Sequence, residues 1–329
     1  MEEIKVSVII PFFGVAAFVE RCSKSLMMQT LKEVEFIFVD DASQDESRTI
    51  IERVCAQFDR DVKILTHSVN KGLPAARNTG LEVAKGEFIY HCDSDDFLEP
   101  TMLEEMYEAA TSTSSDMAYC DFYIDFGTSR RVMTTPDYPN AEIMVKEGFL
   151  AGMMKYNVWN KLVRRNLYER PHPIRFPEGH SMGEDMTMIA LGMCADGVVR
   201  VSRPLYHYMK TNDCAFTNTF SERHLSEIAF NTNHVIGLLE GWNTVDKDLF
   251  IALFKLNVKL PFLFSGSYSQ YRLWQCWYPE ANAFIGRNLI LPRRTILVQQ
   301  FARLHLYPLV WLYAFSVNRV YYGLILRGK

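Results

Sequence analysis

Long apolar runs, paired cysteines and, towards the carboxyl end, acids are scarce in this 329-residue sequence. The seven cysteines, Cys22, Cys55, Cys92, Cys120, Cys194, Cys214 and Cys276, are scattered, odd in number and without metal-ligand spacing. That excludes a disulfide scaffold or a zinc-finger-like site and favours a reducing compartment. The start, Met1-Glu2-Glu3-Ile4-Lys5, is acidic and leads into a short strand-like run, so no secretory signal is expected and the working part should face the cytosol. Repeats and low-complexity segments are missing, which removes solenoids and linker-like chains. In the tail the longest uncharged run, Leu306 to Asn318, holds 13 residues, short of the roughly 20 that cross a bilayer.

Acids stop at Glu280, whereas Arg287, Arg293, Arg294, Arg303, Arg319, Arg327 and Lys329 follow. Of the net charge of −4, the last 49 residues therefore carry +7 and the first 280 carry −11. A duplex would be repelled by the acidic part, so nucleic acid is not an expected partner. With 48% hydrophobic and 22% charged residues the rest is ordinary globular protein, long enough for a sizeable core.

What is present is alternation. Lys5 to Ile10 reads as a strand ending at Pro11, and Val15 to Met28 has helical spacing. Val34 to Val39 is a second strand stopped by Asp40-Asp41, after which Ser43 and Glu46 have the spacing of a capping box for a helix to about Phe58. Val62 to Thr66, Glu87 to Cys92 and Met117 to Phe122 are further strands. Between them lie a helix opened by Pro74 and another from Thr101 to Ala110. Such a pattern predicts an α/β fold with a mostly parallel sheet flanked by helices. Ligands of such sheets bind beyond the carboxyl ends of the strands, where Pro11-Phe12-Phe13-Gly14, Asp40-Asp41 and Asp93-Ser94-Asp95-Asp96 should converge.

The last of these is the strongest chemical signal. An apolar run, Phe88-Ile89-Tyr90-His91-Cys92, ends in three carboxylates that repel one another unless a cation sits between them. Acids after a strand also make turns or cap the next helix. A calcium loop of EF-hand type fails, because the sixth position from Asp93 is Leu98 where glycine is needed. If the segment is extended, Asp93 and Asp95 face one way and Ser94 and Asp96 the other. Two carboxylates on one side suit Mg²⁺ or Mn²⁺ carrying a phosphate-containing ligand.

After an uninformative stretch from Phe126 to Asn140, Ala141 to Lys155 reads as helix and Gly183-Glu184-Asp185-Met186 opens a helix to Ala195. Acids at that helix start are also explained by the dipole alone. Val198 to Val201 and Pro204 to Tyr208 read as two short strands. Beyond Asn212 the spacing is helical, over Leu225 to Glu240, Val245 to Leu260 and Thr295 to Leu326. The tail's Tyr307, Trp311, Tyr313, Phe315, Tyr321 and Tyr322, set among arginines, suit a helix lying in a membrane interface. Packing on the catalytic part or on a second copy in a homo-oligomer is the alternative. The expected division is a catalytic domain over 1–212, with a nucleotide-binding half to 125 and an acceptor half from 126, then a helical region over 213–329.

Four motifs in order carry a resemblance: Val6-Ser7-Val8-Ile9-Ile10-Pro11, Phe38-Val39-Asp40-Asp41-Ala42-Ser43, Asn70-Lys71-Gly72 with Ala76-Arg77-Asn78-Thr79-Gly80, and Lys85-Gly86-Glu87-Phe88-Ile89 before Asp93-Ser94-Asp95-Asp96. Over about residues 4 to 110 the chain resembles the inverting, nucleotide-sugar-dependent glycosyltransferases of family 2, which have the GT-A fold. Trp159-Asn160-Lys161-Leu162, Gly183-Glu184-Asp185 and Leu205-Tyr206-His207-Tyr208 extend the likeness towards bacterial capsule, exopolysaccharide and lipopolysaccharide enzymes.

The resemblance implies a GT-A catalytic domain and a divalent cation, Mn²⁺ or Mg²⁺. It also implies a nucleotide-sugar donor, expected to be UDP-linked, and a glycan or lipid-linked acceptor. Pro11, Phe13, Asp41, Arg77, Asp93, Ser94 and Asp95 would bind the donor, with Asp41 accepting from a uracil N–H and Phe13 stacking where the family usually has Tyr. Gly14 replaces the family's usual Asn. Asp95, Asp93 and His207 would hold the metal. Asp185 would be the base, with Trp159, Lys161 and Glu184 lining the acceptor side. Lys71 and Arg77 are near enough in sequence to reach base or diphosphate; the alternative is surface charges on a turn and a helix, a reading at least as strong for Lys71.

Two rivals stand beside this reading. A sugar nucleotidyltransferase would share the alternation but needs a Gly-rich, basic loop after strand one, and Pro11 to Val15 has no Lys or Arg. A silent nucleotide-sugar-binding scaffold would keep the pocket without turnover, against which Asp41, Asp93, Asp95 and Asp185 occur together.

Overall fold

The computed structural model describes residues 3–135, 157–169, 172–180, 183–210, 222–240, 247–288 and 291–317. Two compact units emerge, Met1–Glu142 with Tyr156–Val235 and Ile143–Lys155 with Ile236–Lys329. The helix expected over 141–155 lies outside the described residues.

In the first unit, apolar runs become buried strands: β1 (Val6–Phe12), β2 (Val34–Asp40), β3 (Asp61–Thr66) and β4 (Phe88–His91). Helices α1 (Val19–Met27), α2 (Ser47–Cys55) and α3 (Leu73–Val83) connect them. β5 (Phe97–Leu98), α4 (Met102–Ser112), β6 (Met117–Asp125), β7 (Arg130–Met133), β8 (Lys161–Arg164), α5 (Thr187–Cys194) and β9 (Val198–Met209) follow, and α6 (Glu222–Glu240) begins in this unit and ends in the second. One sheet joins all the strands in the order β3-β2-β1-β4-β8-β6-β9-β5, with β7 beside β6. β1, β2, β3 and β4 pair in parallel, as do β6 and β9, whereas β8 is antiparallel to both β4 and β6. The carboxyl ends of β1 to β4, β6 and β9 therefore share one edge, and the amino end of reversed β8 joins them there.

Local chemistry explains several boundaries. β1 is buried along its length and runs through Pro11 instead of stopping there. Ile9 accepts from the N–H of Cys92 on the β4 side, and two residues later β4 has turned away, so the missing N–H of Pro11 costs no ladder bond. On α1 the buried side chains Val19, Cys22, Ser23, Leu26 and Met27 recur at helical spacing. The guanidinium of Arg60 donates to the carbonyls of Met27, Gln29 and Leu31 just past its end.

The expected capping box does not form. At the start of α2 the Asp45 carboxylate accepts from the Ser47 N–H and hydroxyl, while Ser43 and Ser47 accept from the N–H groups of Gly14 and Val15. The two stretches expected after Val198 form one strand, β9, with a register shift at Cys120/Asp121 across from it.

In the second unit, α7 (Lys247–Lys259), α8 (Tyr268–Cys276), α9 (Arg293–Arg303) and α10 (Tyr307–Phe315) enclose Phe254, Leu256, Leu263, Tyr271, Trp274, Val298 and Val310. Lys259 is buried there, its ammonium donating to the carbonyls of Trp277 and Tyr278 and to Asn282 Oδ1. The single long helix expected over 295–326 is divided, with His305 at φ 58° between α9 and α10; residues 318–329 lie outside the described set.

Candidate active site

β4 delivers Asp93 to the edge of the sheet, but the acidic run is a turn, closed by an Asp96 N–H to Asp93 carbonyl bond, not an extended strand. Its side chains still part company. Asp96 is buried and accepts from Tyr206 O–H at 2.6 Å and from Met209 N–H at 2.7 Å, fastening β9. Asp93 turns to Arg77.

Arg77 is the centre of the site. It projects from α3, is 1% exposed, and places Nη2 3.1 Å from Asp93 Oδ1 and Nη1 2.8 Å from Asp185 Oδ1, with Glu184 Oε1 at 3.5 Å. The Phe176 ring lies 5.2 Å below the guanidinium. Asn78 holds that ring in place by donating to the Phe176 carbonyl and accepting from its N–H, both at 2.9 Å. Burial, only partly offset by Arg77, raises the Asp93 carboxyl to about 6. Burial and then the neighbouring Asp185 raise Glu184 to about 8. Asp93 and Asp185 keep 27% and 24% of their side-chain surface open, so they are the members that a ligand can touch.

Arg77 was expected on the donor; its burial among carboxylates makes it instead the link between the expected metal-binding acid and the expected base. Lys161 and Glu184, expected on the acceptor, are buried. Lys161 donates to the Asn157 carbonyl and Asn160 Oδ1, and burial lowers its ammonium to about 7 against the pull of Asp185. Trp159, also expected on the acceptor, is a packing residue. Its ring stacks on Tyr206 and Tyr208 with centroids 4.5 and 5.4 Å away, and its carbonyl accepts from Tyr90 O–H.

His207 lies opposite Phe97, two residues beyond Asp95. Its ring is stacked on Phe97 at 4.0 Å and on Tyr123 at 4.6 Å, with Nε2 2.9 Å from Glu99 Oε1. One nitrogen is thus committed away from the acidic turn. Among the described residues Nδ1 lacks a hydrogen bond, and Asp125 Oδ2 is 3.7 Å away.

At the end of β2, Asp41 is buried and already meets three groups. Oδ1 accepts from Lys71 N–H and lies 2.7 Å from His67 Nδ1, while Oδ2 accepts from Gly72 N–H. The carboxylate shapes the 67–72 turn, leaving about one of its roughly four acceptor positions for a base. Gly72 has φ 90°, a conformation that a side chain would strain. Pro11 and Ser94 are buried, whereas Phe13 is 51% exposed beyond β1 and free to stack on a ligand.

Residues 7–173 match the glycosyl transferase family 2 profile. The chain belongs to that family. EpsH of Bacillus subtilis, named as a glycosyltransferase, is 33% identical over 215 residues, 63% of this chain and 61% of its own length. The cholesterol galactosyltransferase of Borreliella burgdorferi is 32% identical over 251 residues, covering 72% of this chain and 68% of the relative. The chain spans about half to three fifths of the two Bacillus relatives EpsJ and EpsH. Residues 1–349 of S. aureus TarS, solved with UDP-GlcNAc, share the fold with a TM-score of 0.71 at 19% identity, covering 96% of this chain and 92% of that one.

This family 2 member shows why its motifs look as they do. A Cβ on Gly80 would meet Ile9 Cγ2 at 2.4 Å, and one on Gly86 would meet Ser7 N at 2.4 Å, so both glycines let other segments close on β1. Asn78, Phe176 and His67 are site residues that the sequence alone did not single out. Asn78 stands in the Ala76 to Gly80 motif, and that position was the available signal. The residue types fit a hard divalent cation: Asp93 is partly open, and Asp95 lies near enough for its charge to raise the Asp93 carboxyl, so two oxygen-bearing acids adjoin here. Among the described residues no three metal-ligating side chains cluster.

Proposed function

We propose that this chain transfers a sugar, with inversion, from a UDP-sugar to a hydroxyl of a lipid-linked or growing cell-surface glycan on the cytosolic side of the membrane. One observation carries the reading. A single buried guanidinium binds Asp93, at the end of β4, and Asp185, from a segment about ninety residues later, into one partly open cluster. The names of the relatives support it, and the UDP-GlcNAc held by TarS suggests the donor class.

In this mechanism Phe13 stacks on the base, and the remaining acceptor position of Asp41 takes its N–H. Asp93 and Asp95 would hold the divalent cation, whose positive charge offsets that of the departing diphosphate. Arg77 occupies Asp185 Oδ1 and so turns Oδ2 towards the acceptor. That oxygen takes the proton from the acceptor hydroxyl as it attacks the anomeric carbon from the face opposite the diphosphate, and one displacement inverts the configuration. The oxocarbenium character known from glycoside hydrolysis is expected here as well.

A screen of nucleotide sugars for release of free nucleoside diphosphate, with and without divalent cation, identifies the donor. Asp185→Asn should then lose turnover while keeping donor affinity, and Asp95→Asn should lose cation-dependent turnover while keeping its fold. Undiminished turnover in either variant removes that assignment, and loss of donor affinity in Asp185→Asn removes the base role.

A further inference from the structure

We infer that the α9–α10 corner of the second unit is a docking face for an anionic lipid surface. α10, Tyr-Pro-Leu-Val-Trp-Leu-Tyr-Ala-Phe, has no charged residue on any side. Only Val310 and Ala314, one turn apart, are buried, while Tyr307 packs 6.1 and 5.8 Å from the rings of Tyr268 and Tyr271. The rest of its girth is open, with Leu309 41%, Trp311 41%, Leu312 57% and Phe315 40% exposed. A helix that is apolar all round is normally buried on all sides. Leu304, Leu306 and Leu297 extend the open patch onto the loop and α9 at 63%, 42% and 52%. Seven large apolar side chains on two short helices and the loop that joins them exceed the scattered exposure of an ordinary surface.

Charge selects the occupant. Arg293, Arg294 and Arg303, on the same helix as Leu297, are exposed, and no acid follows Glu280 anywhere in the sequence. A protein partner would have to match that one-signed rim, whereas phosphate headgroups do so everywhere. α10 is nine residues long, roughly 13 Å at 1.5 Å per residue, so it cannot cross a hydrocarbon core of about 30 Å. Lying flat, it places Leu309, Trp311, Leu312 and Phe315 about 5–10 Å into the headgroup boundary with the arginines at phosphate level. Trp and Arg are side chains suited to that depth.

The test is co-sedimentation of the full chain with phosphatidylcholine vesicles and with vesicles that also carry phosphatidylglycerol. We expect at least about 10-fold tighter binding to the anionic vesicles, lost in about 0.5 M salt, since each basic residue near the surface adds roughly a factor of five. Leu309→Ser/Leu312→Ser and Arg293→Glu/Arg303→Glu should each weaken it about 10-fold or more. The substituted side chains are exposed, so the melting temperature should not change. On anionic vesicles the wild-type fluorescence should shift to the blue, and Trp311→Phe should reduce the shift. Indifference to lipid charge overturns the inference, as does undiminished binding by both variants. So does a concentration-dependent dimer that Leu309→Ser/Leu312→Ser dissociates without effect on vesicle binding. None of these readouts depends on turnover, so they stand apart from the transfer reaction.

Discussion

Replacing Arg77 with Met removes one cation from among three carboxylates, and the consequence should depend strongly on pH. Arg77 lies 2.8, 3.1 and 3.5 Å from Asp185, Asp93 and Glu184 and is 1% exposed. Removing one partner from a buried ion pair costs roughly 3–5 kcal/mol, because the other charge is left unpaired. Here the acids have a way out. Asp93 already titrates near about 6 and Glu184 near about 8, and Arg77 lowers both. Without it both rise further, so the folded variant binds more protons than the wild type through the neutral range. Stability of the variant must then fall more steeply as pH rises. We expect a loss of about 3–5 kcal/mol near pH 8, shrinking by about 2 kcal/mol or more near pH 5.5, where protonation replaces the missing cation. Urea unfolding of both proteins at the two pH values measures this directly. A loss equal at both, or under about 1 kcal/mol at pH 8, refutes the picture of Arg77 as the charge that holds the cluster together. Turnover should stay absent even at the lower pH, since Asp185 is then no longer oriented.

Glu184→Gln tests the same cluster from the acid side. A carboxyl raised from 4.5 to about 8 contributes stability that is whole below the lower value and is lost progressively up to the higher one, so the variant should gain on the wild type by about 1 kcal/mol or more between pH 5 and pH 8 and no further above that. Gly86→Ala, whose Cβ would press on the backbone of Ser7, should cost about 1–3 kcal/mol in denaturant unfolding. Gly80→Ala should cost a similar amount, because its Cβ would meet Cγ2, Cγ1 and Cβ of the buried, β-branched Ile9. For Phe13→Ala, donor affinity by calorimetry should drop about 3–10-fold through lost stacking with no change in melting temperature, because the ring is 51% exposed.

Much of the site was legible because its parts sit at strand ends. Apolar runs closing on Asp40-Asp41 and Asp93 to Asp96 announce buried parallel strands, and the ligand-binding edge follows from strand direction alone. Reading individual side chains was harder. Arg77 looked like a cation for phosphate or the surface because its burial and its three acidic neighbours come from segments far apart in the chain. Trp159 and His207 were picked out by residue type and motif, whereas the ring stacking that holds them, on Tyr206 and on Phe97 and Tyr123, comes from strands far apart in the chain. Asp96 was separated from its neighbours by a rule of alternation that does not hold in a turn, although it does part from Asp93, binding Tyr206 and Met209 where Asp93 meets Arg77.

By itself the amino-acid order determined the alternation of strand and helix, the acidic run after β4, the family and the one-signed tail, because each is written in local periodicity or in a contiguous motif. Tertiary structure alone decided which carboxylates share a cation, that β8 runs backwards between β4 and β6, and that α10 leaves apolar side chains in the open. The physical reason is common to all three: each depends on pairings across tens of residues, whose energies no local pattern records.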